Sequence, residues 1–281
     1  MRIGTRGSAL ALAQARQVAA LLGGEHELVE VVTSGDRGER ASDKERWVRE
    51  LDGALLGGEI DCAVHSAKDV PAALPDGIAI AAVPARADPR DALCGATSLA
   101  ALPAGARVGT SSLRRAAQLR ALRPDLDVLE LRGNVDTRLR RLGEGDYDAI
   151  VLAVAGLQRL GRDGEGTPLD ELVPAAGQGC LAVTTRAGEE STVATLHDEP
   201  AARALAAERA LVRALEADCH TPVGAHAAVS DRLTLRAFVG APDGSAWVRD
   251  ELEGEDPERL GAQVAARLLS AGAREVLARA G

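Results

Sequence analysis

The segment RVGTSSLRRAAQLRALRPDLDVLEL at residues 107–131 holds an apolar run at Arg107–Thr110, a stretch of helical length and period at Ser112–Leu122, and a second apolar run at Asp127–Leu131. Strand, crossover helix and strand in that order form the unit of a parallel sheet. The alternation continues outward. Apolar runs recur at Glu27–Thr33, Ile60–Ser66, Ile78–Val83, Ala149–Ala155 and Leu181–Thr185, with helical segments at Leu10–Leu22, Lys44–Leu56 and Val135–Leu142. The pattern predicts open α/β domains whose sheets are mostly parallel, with ligands at the carboxyl ends of the strands. The tail differs. A long Ala-rich helix at Pro200–Leu215, strands at Val223–Val229, Leu233–Val239 and Ala246–Leu252, and helices at Pro257–Leu269 and Ala273–Ala280 read as a separate α+β unit.

Composition narrows the function classes. A chain of 281 residues has room for about two domains and a smaller third. With 46% apolar and 27% charged residues and no run approaching the roughly 18 apolar residues of a membrane span, disorder and insertion are not expected. The start Met1–Arg6 reads straight into a strand without an apolar secretory segment, so a cytoplasmic location is expected. Trp47, Tyr147, Phe238 and Trp247 are the whole aromatic complement, too few for base-stacking platforms, and the net charge of −9 speaks against nucleic-acid binding. The core must come from Ala, Leu and Val. Cys62, Cys94, Cys180 and Cys219 form no C-x-x-C pair, which gives neither a disulfide framework nor a zinc site.

The charge is unevenly placed. Residues 101–162 carry eleven arginines against seven acidic residues, a local +4 inside a chain of −9. Such asymmetry suits an anion site in an acidic protein. Arg120, Arg123, Arg140 and Arg141 read as solvated helix surface. The other arginines fit a recurring theme, a strand ending in a loop with Arg or Ser that opens a helix. Arg2–Thr5 leads to Arg6-Gly7-Ser8, Val108-Gly109-Thr110 to Ser111-Ser112-Leu113-Arg114-Arg115, and Leu129–Leu131 to Arg132-Gly133-Asn134. Helix N-termini offer unpaired N–H groups and a positive dipole end, and guanidinium groups add bidentate grips on carboxylates. Several such loops converging on one cleft imply a polyanionic ligand.

Two further segments carry chemistry. His65-Ser66-Ala67-Lys68-Asp69-Val70-Pro71 follows the apolar strand at Ile60–Val64, placing a carboxylate and a rare lysine at a strand's carboxyl end. An aspartate among arginines stays ionised and can oppose a developing cation. Cys219 follows the long helix, just before Pro222-Val223-Gly224, where a loop position leaves sulfur accessible for covalent attachment. Cys219, His220 and His226 lack a fourth ligand at a familiar spacing, so no metal is expected.

Taken together these motifs resemble the porphobilinogen deaminase (hydroxymethylbilane synthase) family. The matching stretches are R-I-x-T-R from Arg2, H-S-x-K-D-V-P at 65–71, D-P-R-D-A at 88–92, G-T-S-S-L-R-R at 109–115 and L-R-G-N-V-x-T-R-L at 131–139. They continue with D-A-I-x-L-A-V-A-G-L at 148–157, P-A-x-G-Q-G at 174–179, A-E-R-A-L at 207–211, C-x-x-P-V-G at 219–224 and G-A-P-D-G-S at 240–245. The resemblance implies two periplasmic-binding-protein-like (type II) α/β domains plus a smaller α+β C-terminal domain. Domain 1 maps to residues 1–88 and 177–194, domain 2 to 89–176 and domain 3 to 195–281.

The implied activity joins four porphobilinogen molecules head to tail with loss of ammonia, giving hydroxymethylbilane in tetrapyrrole synthesis. The implied primer is a dipyrromethane cofactor held as a thioether on Cys219, with Asp69 as the catalytic carboxylate. By the same resemblance Lys68, Asp69, Ser112, Arg114, Arg115, Arg132 and Arg138 contact the cofactor, and Arg6, Ser8, Arg132, Arg138 and Arg159 contact substrate. No metal, nucleic acid or membrane partner is implied, and a monomer is expected. The chain departs from the family pattern at Thr33–Asp36, in the short charged loop Ala41–Glu45 with Lys44, at Gly7 and at Asp136. Rival readings are a non-enzymatic anion-binding protein of periplasmic-binding type and an anionic-substrate transferase such as a phosphoribosyltransferase; neither needs Cys219.

Overall fold

The computed structural model describes residues 1–34, 48–217 and 221–280. The first part of the chain runs β1 (Arg2–Thr5), α1 (Ala9–Leu22), β2 (Glu27–Glu30), α2 (Arg49–Leu56), β3 (Cys62–Ser66) and β4 (Ile78–Ala82). The middle runs β5 (Asp91–Cys94), β6 (Arg107–Gly109), α3 (Leu113–Leu122), β7 (Asp127–Leu129), α4 (Val135–Gly143), β8 (Ala149–Ala153), α5 (Val154–Arg159) and β9 (Thr167–Leu169). After β10 (Leu181–Arg186) come α6 (Glu199–Ala214), β11 (Val223–Val229), β12 (Leu233–Gly240), β13 (Trp247–Gly254), α7 (Pro257–Ser270) and α8 (Ala273–Leu277).

Two five-stranded sheets share one plan. The first has the order β2-β1-β3-β10-β4 and the second β7-β6-β8-β5-β9, beside a separate three-stranded sheet β11-β12-β13. In the first, β1 runs parallel to β2 and β3, while β10 lies antiparallel between β3 and β4. In the second, β6 runs parallel to β7 and β8, while β5 lies antiparallel between β8 and β9. The antiparallel strand is in each case the one reached by crossing from the other sheet. The expected class, two α/β units and a smaller α+β unit, is the one formed.

Both faces of each large sheet are covered at its centre, so β1, β3, β10, β5 and β8 are almost continuously buried, while the edge strands β2, β7 and β9 are not. Ile3, Val64, Leu181 and Val183 pack against Ala15 and Val18 of α1 on one face, and Ala63 meets Leu51, Leu55 and Ile60 on the other. Caps set the helix starts. Ser8, Ser112, Asn134, Asp198 and Asp256 each accept a backbone N–H in the first turn of α1, α3, α4, α6 and α7.

The crossings lie side by side. Ala87 donates its N–H to the Gly179 carbonyl at 3.3 Å. Gly179 has φ +89, and a Cβ there would stand 2.5 Å from the Ala87 oxygen, so only glycine lets the two linkers meet.

Several elements differ from the sequence pattern. β5 and β9 carry no alternation that marks them, because both are short. The run Ala149–Ala155 divides, with the strand ending at Ala153 and α5 opening at Val154; in so short and so buried a run periodicity does not separate strand from helix. β2 ends at Glu30 rather than Thr33, and α2 begins at Arg49; Lys44 and the rest of the loop at 35–47 lie outside the described residues. Among the described residues no helix is long and apolar enough to cross a membrane.

The C-terminal unit depends on close approach of α6 and α7. A Cβ on Gly261 would lie 2.5 Å from the Ala207 carbonyl oxygen and 2.5 Å from the Ala210 Cβ. Gly261→Ala is therefore expected to destabilise the protein by about 1–3 kcal/mol through overpacking. A chemical-denaturation midpoint equal to that of the parent protein would refute this.

Candidate active site

The loops predicted to converge do so in a cleft of about 1100 Å³ between the two large sheets. Its walls include Arg6, Ser8, Lys68 and Asp69 from the first sheet's side and Arg115, Arg132, Arg138 and Arg159 from the second's. Ser8 caps α1 and Asn134 caps α4, and both stand at the cleft, so helix N-termini add positive potential to the same space. Arg6 is half-buried at the end of β1.

The cations differ in what holds them. Arg138 donates to the Gly133 carbonyl (2.7 Å) and the Ser111 hydroxyl (3.2 Å). Arg159 donates to the Gln17 side-chain oxygen (3.3 Å) and the Gly179 carbonyl (2.8 Å). All four acceptors are neutral, so among the described residues neither guanidinium is paired with a carboxylate. Burial pushes Arg138 down to about 10, helped by the like charge of Arg115, and burial also lowers Arg159; both remain cationic at neutral pH. Arg132 is exposed and pairs at 2.7 Å with Glu130, itself a cleft residue.

Lys68 and Asp69 sit in a 3₁₀ turn, Ala67–Asp69, at the carboxyl end of β3. Burial pushes Lys68 down to about 8; Asp69 and Asp91 oppose the shift, and Arg115 and Arg114 add to it. Its ammonium reaches the Gln178 oxygen at 3.4 Å. His65, on β3, bonds the Thr184 hydroxyl at 3.0 Å; burial, with Arg6 nearby, lowers it to about 4, so it is neutral at pH 7.

Behind the cleft lies Asp91, fully buried on β5. It receives Arg114 at 2.7 and 3.1 Å, Arg115 at 2.9 and 2.7 Å and the Gln178 amide at 2.9 Å. Burial would raise its carboxyl, but the two guanidinium charges outweigh that and hold it well below the usual carboxylate range. Arg115 also binds the Val151 carbonyl and still lines the cleft, whereas Arg114 turns to the Val173 carbonyl and does not. Ser112 caps α3, and its neighbour Ser111 is the one at the cleft wall.

The sequence reading assigned no role to Asp91 and Gln178, although both lie in quoted motifs. The one signal in the sequence was a charged residue, Asp91, opening the short apolar run Ala-Leu-Cys, which the structure shows to be a fully buried strand. Arg120 and Arg123 correct the reading of a solvated surface. Arg120 donates to the Pro242 and Val128 carbonyls, joining α3 to the C-terminal unit, and Arg123 to the Leu99 and Leu102 carbonyls. Arg140 and Arg141 do form exposed pairs, with Glu144 and Asp146. Cys62, Cys94 and Cys180 are buried, while Cys219 and His220 lie outside the described residues.

The family model "Porphobilinogen deaminase, dipyromethane cofactor binding domain" matches residues 1–194, and "Porphobilinogen deaminase, C-terminal domain" matches residues 202–270. A porphobilinogen deaminase of Rubrobacter xylanophilus is 51% identical over 293 residues, covering 98% of this chain and 95% of that one. One of Thermus thermophilus is 48% identical over 293 residues, covering 98% and 97%. Among solved structures, an ABC-transporter periplasmic substrate-binding protein of Coxiella burnetii aligns over 74% of this chain and 96% of its own at 15% identity and a TM-score of 0.43.

Lys68 and Lys44 are the only lysines, which makes the Lys68 titration directly observable. In a Lys44→Arg variant free of bound pyrroles, reductively methylated with ¹³C-formaldehyde, the Lys68 resonance should titrate with a midpoint near 8. The group is cationic below that pH and neutral above it, so its hold on anions weakens as pH rises through about 8. A midpoint near the ~10.4 of an exposed lysine would show that burial does not act on it.

Proposed function

The chain belongs to the porphobilinogen deaminase family, and from that premise we propose how its own residues divide the reaction. Family members are transferases of tetrapyrrole synthesis that join porphobilinogen units into hydroxymethylbilane on a dipyrromethane cofactor. In our reading Asp69 is the catalytic carboxylate and Cys219 the attachment point. Lys68, Arg115, Arg132 and Arg138 grip the cofactor's side-chain acids, and Arg6, Ser8, Arg132, Arg138 and Arg159 those of incoming substrate. Arg114 acts from behind, through Asp91, and Ser112 through its cap on α3. Domain 1 is residues 1–88 with 177–194, domain 2 is 89–176 and domain 3 is 195–281. The protein works as a cytoplasmic monomer without nucleic-acid or membrane partners.

One observation carries this reading: Arg138 and Arg159 face the cleft with only neutral acceptors, around a carboxylate, Asp69, that has no hydrogen-bond partner among the described residues. A ligand with many carboxylates and weakly acidic N–H groups satisfies both. Each porphobilinogen brings two carboxylates, and a charge-assisted hydrogen bond is worth about 1.5–3 kcal/mol. The donor set therefore fits dipyrromethane, whose acetates and propionates need this array. When bound, that cofactor supplies the nucleophilic pyrrole carbon to which the units are added.

The residues act on charge and protons. Ammonia leaves porphobilinogen with the electron pair of the carbon–nitrogen bond, and the methylene-pyrrole cation left behind is opposed by Asp69. With the cofactor bound, the ring proton displaced when its pyrrole carbon took up that cation would pass to a base, and Asp69 is a carboxylate at the cleft wall that could accept it. Its pyrrole N–H hydrogen bonds hold the rings while the arginines fix their edges. General acid–base work of this kind contributes about 10²–10⁴ in rate.

Asp69→Ala should stay folded and lose turnover by about 10²–10⁴-fold; kcat like that of the parent enzyme would refute its role. Intact-protein mass should show a two-pyrrole adduct on the parent chain and none on Cys219→Ser. A full adduct on that variant would move the attachment point elsewhere.

A further inference from the structure

The motif Ala207-Glu208-Arg209-Ala210-Leu211 takes no part in the chemistry above, yet it lies on α6 where that helix meets the turn bearing Asp69. Ala201, Leu205 and Arg209 recur at four-residue spacing and so form one stripe of the helix. Ala201 and Leu205 pack against Ala67, Val70, Val83 and Cys180, the apolar floor under the turn. One turn further along, the Arg209 guanidinium donates to three successive carbonyls, Val70 (3.4 Å), Pro71 (2.7 Å) and Ala72 (3.0 Å).

Those carbonyls begin at the residue after Asp69. Pro71 has no N–H, so this stretch is short of the backbone donors that would otherwise brace it. Upstream the turn is held by the Ala67 N–H on the Cys180 carbonyl at 3.1 Å and closed by the Val70 N–H on the Ala67 carbonyl at 3.3 Å. Downstream the bracing comes from Arg209. The helix itself is firmly seated: Glu208, fully buried, accepts Arg86 (2.6 Å) and the backbone N–H groups of Gly177 (2.6 Å) and Ala227 (2.7 Å).

We propose that Arg209 is a positioning residue for Asp69: anchored on α6 of the C-terminal unit, it fixes the backbone after the carboxylate and thereby the carboxylate's place in the cleft. The inference rests on Asp69 being the catalytic group. Arg209 does not line the cleft, so it acts on the reacting atoms through the turn alone.

The test is a double-mutant cycle on the cofactor-loaded enzyme, read by single-turnover incorporation of porphobilinogen and by steady-state kcat and KM. Arg209→Leu should lower the rate about 10- to 100-fold, the scale of a misplaced catalytic group, with KM within about twofold and the cofactor adduct intact by mass. In an Asp69→Glu background, where the carboxylate is already displaced, Arg209→Leu should cost less than about twofold more. Arg209→Lys should recover part of the loss, because an ammonium still reaches some of the carbonyls; if the leucine variant does not fold, Arg209→Lys and Arg209→Gln are read in the same cycle. An unchanged rate in Arg209→Leu, or the same fold-loss on Asp69→Glu as on the parent, overturns the proposal. Parent-like turnover in Asp69→Ala would instead remove Asp69 from catalysis, and parent-like turnover in Asp69→Glu would show that the carboxylate's place is not critical; either overturns the proposal.

Discussion

The buried Asp91 carboxylate is the constraint on which the rest of the molecule turns. Two arginines and one glutamine amide converge on it from α3 and from the return crossing, with no water-facing surface to share the charge. Removing the carboxylate would leave two guanidinium charges unpaired in a low-dielectric interior, a cost of about 3–5 kcal/mol. The set is not neutral. Two guanidinium groups against one carboxylate leave a surplus of positive charge, and Arg115 carries it to the cleft wall. The same cluster that fastens the second sheet to the crossings thus contributes to the field that an anionic ligand meets.

A second fastening runs through α6. Its Glu208 binds Arg86 and Gly177, one from each crossing, and Ala227 of β11. Arg86 in turn donates twice to the Gln178 carbonyl, so the carboxylate clusters of Asp91 and Glu208 meet at a single residue. Gln178 also touches Lys68 through its side chain. Small residues make this possible: Ala207, Ala210 and Gly261 let α6 and α7 approach until backbone meets side chain. An aromatic-poor, Ala-rich composition, which looks like weak core material, suits helices that must lie close and carry polar groups on their other faces.

Much of this was legible in the chain. The strand and helix periods gave the α/β class, and β11 spans Val223–Val229 as read, since its apolar alternation and the turns at each end are unambiguous. The cations and the aspartate at strand ends also stood out, because their loops follow apolar runs and open capped helices. What stayed hidden involves partners distant in sequence. Arg114 and Arg115 look alike in a motif, but only the fold shows one facing the cleft and the other turned to the Val173 carbonyl. Arg120 and Arg209 end on backbone carbonyls, and a carbonyl leaves no trace in composition. The short strands β5 and β9 owe their form to neighbours already in place rather than to any period of their own.

The hydrogen bond from Ala87 to Gly179 has a mechanical consequence. A single connector would let two lobes swivel freely, and two separate ones would let them slide; two that are tied at one point, by Ala87 to Gly179, Arg86 to Gln178 and Gln178 to Pro89, act as the spine of a book. Lobes joined this way can rock open and shut about one axis while torsion and shear are resisted. Any room for a lengthening occupant must come from that one degree of freedom, or from the occupant folding back on itself.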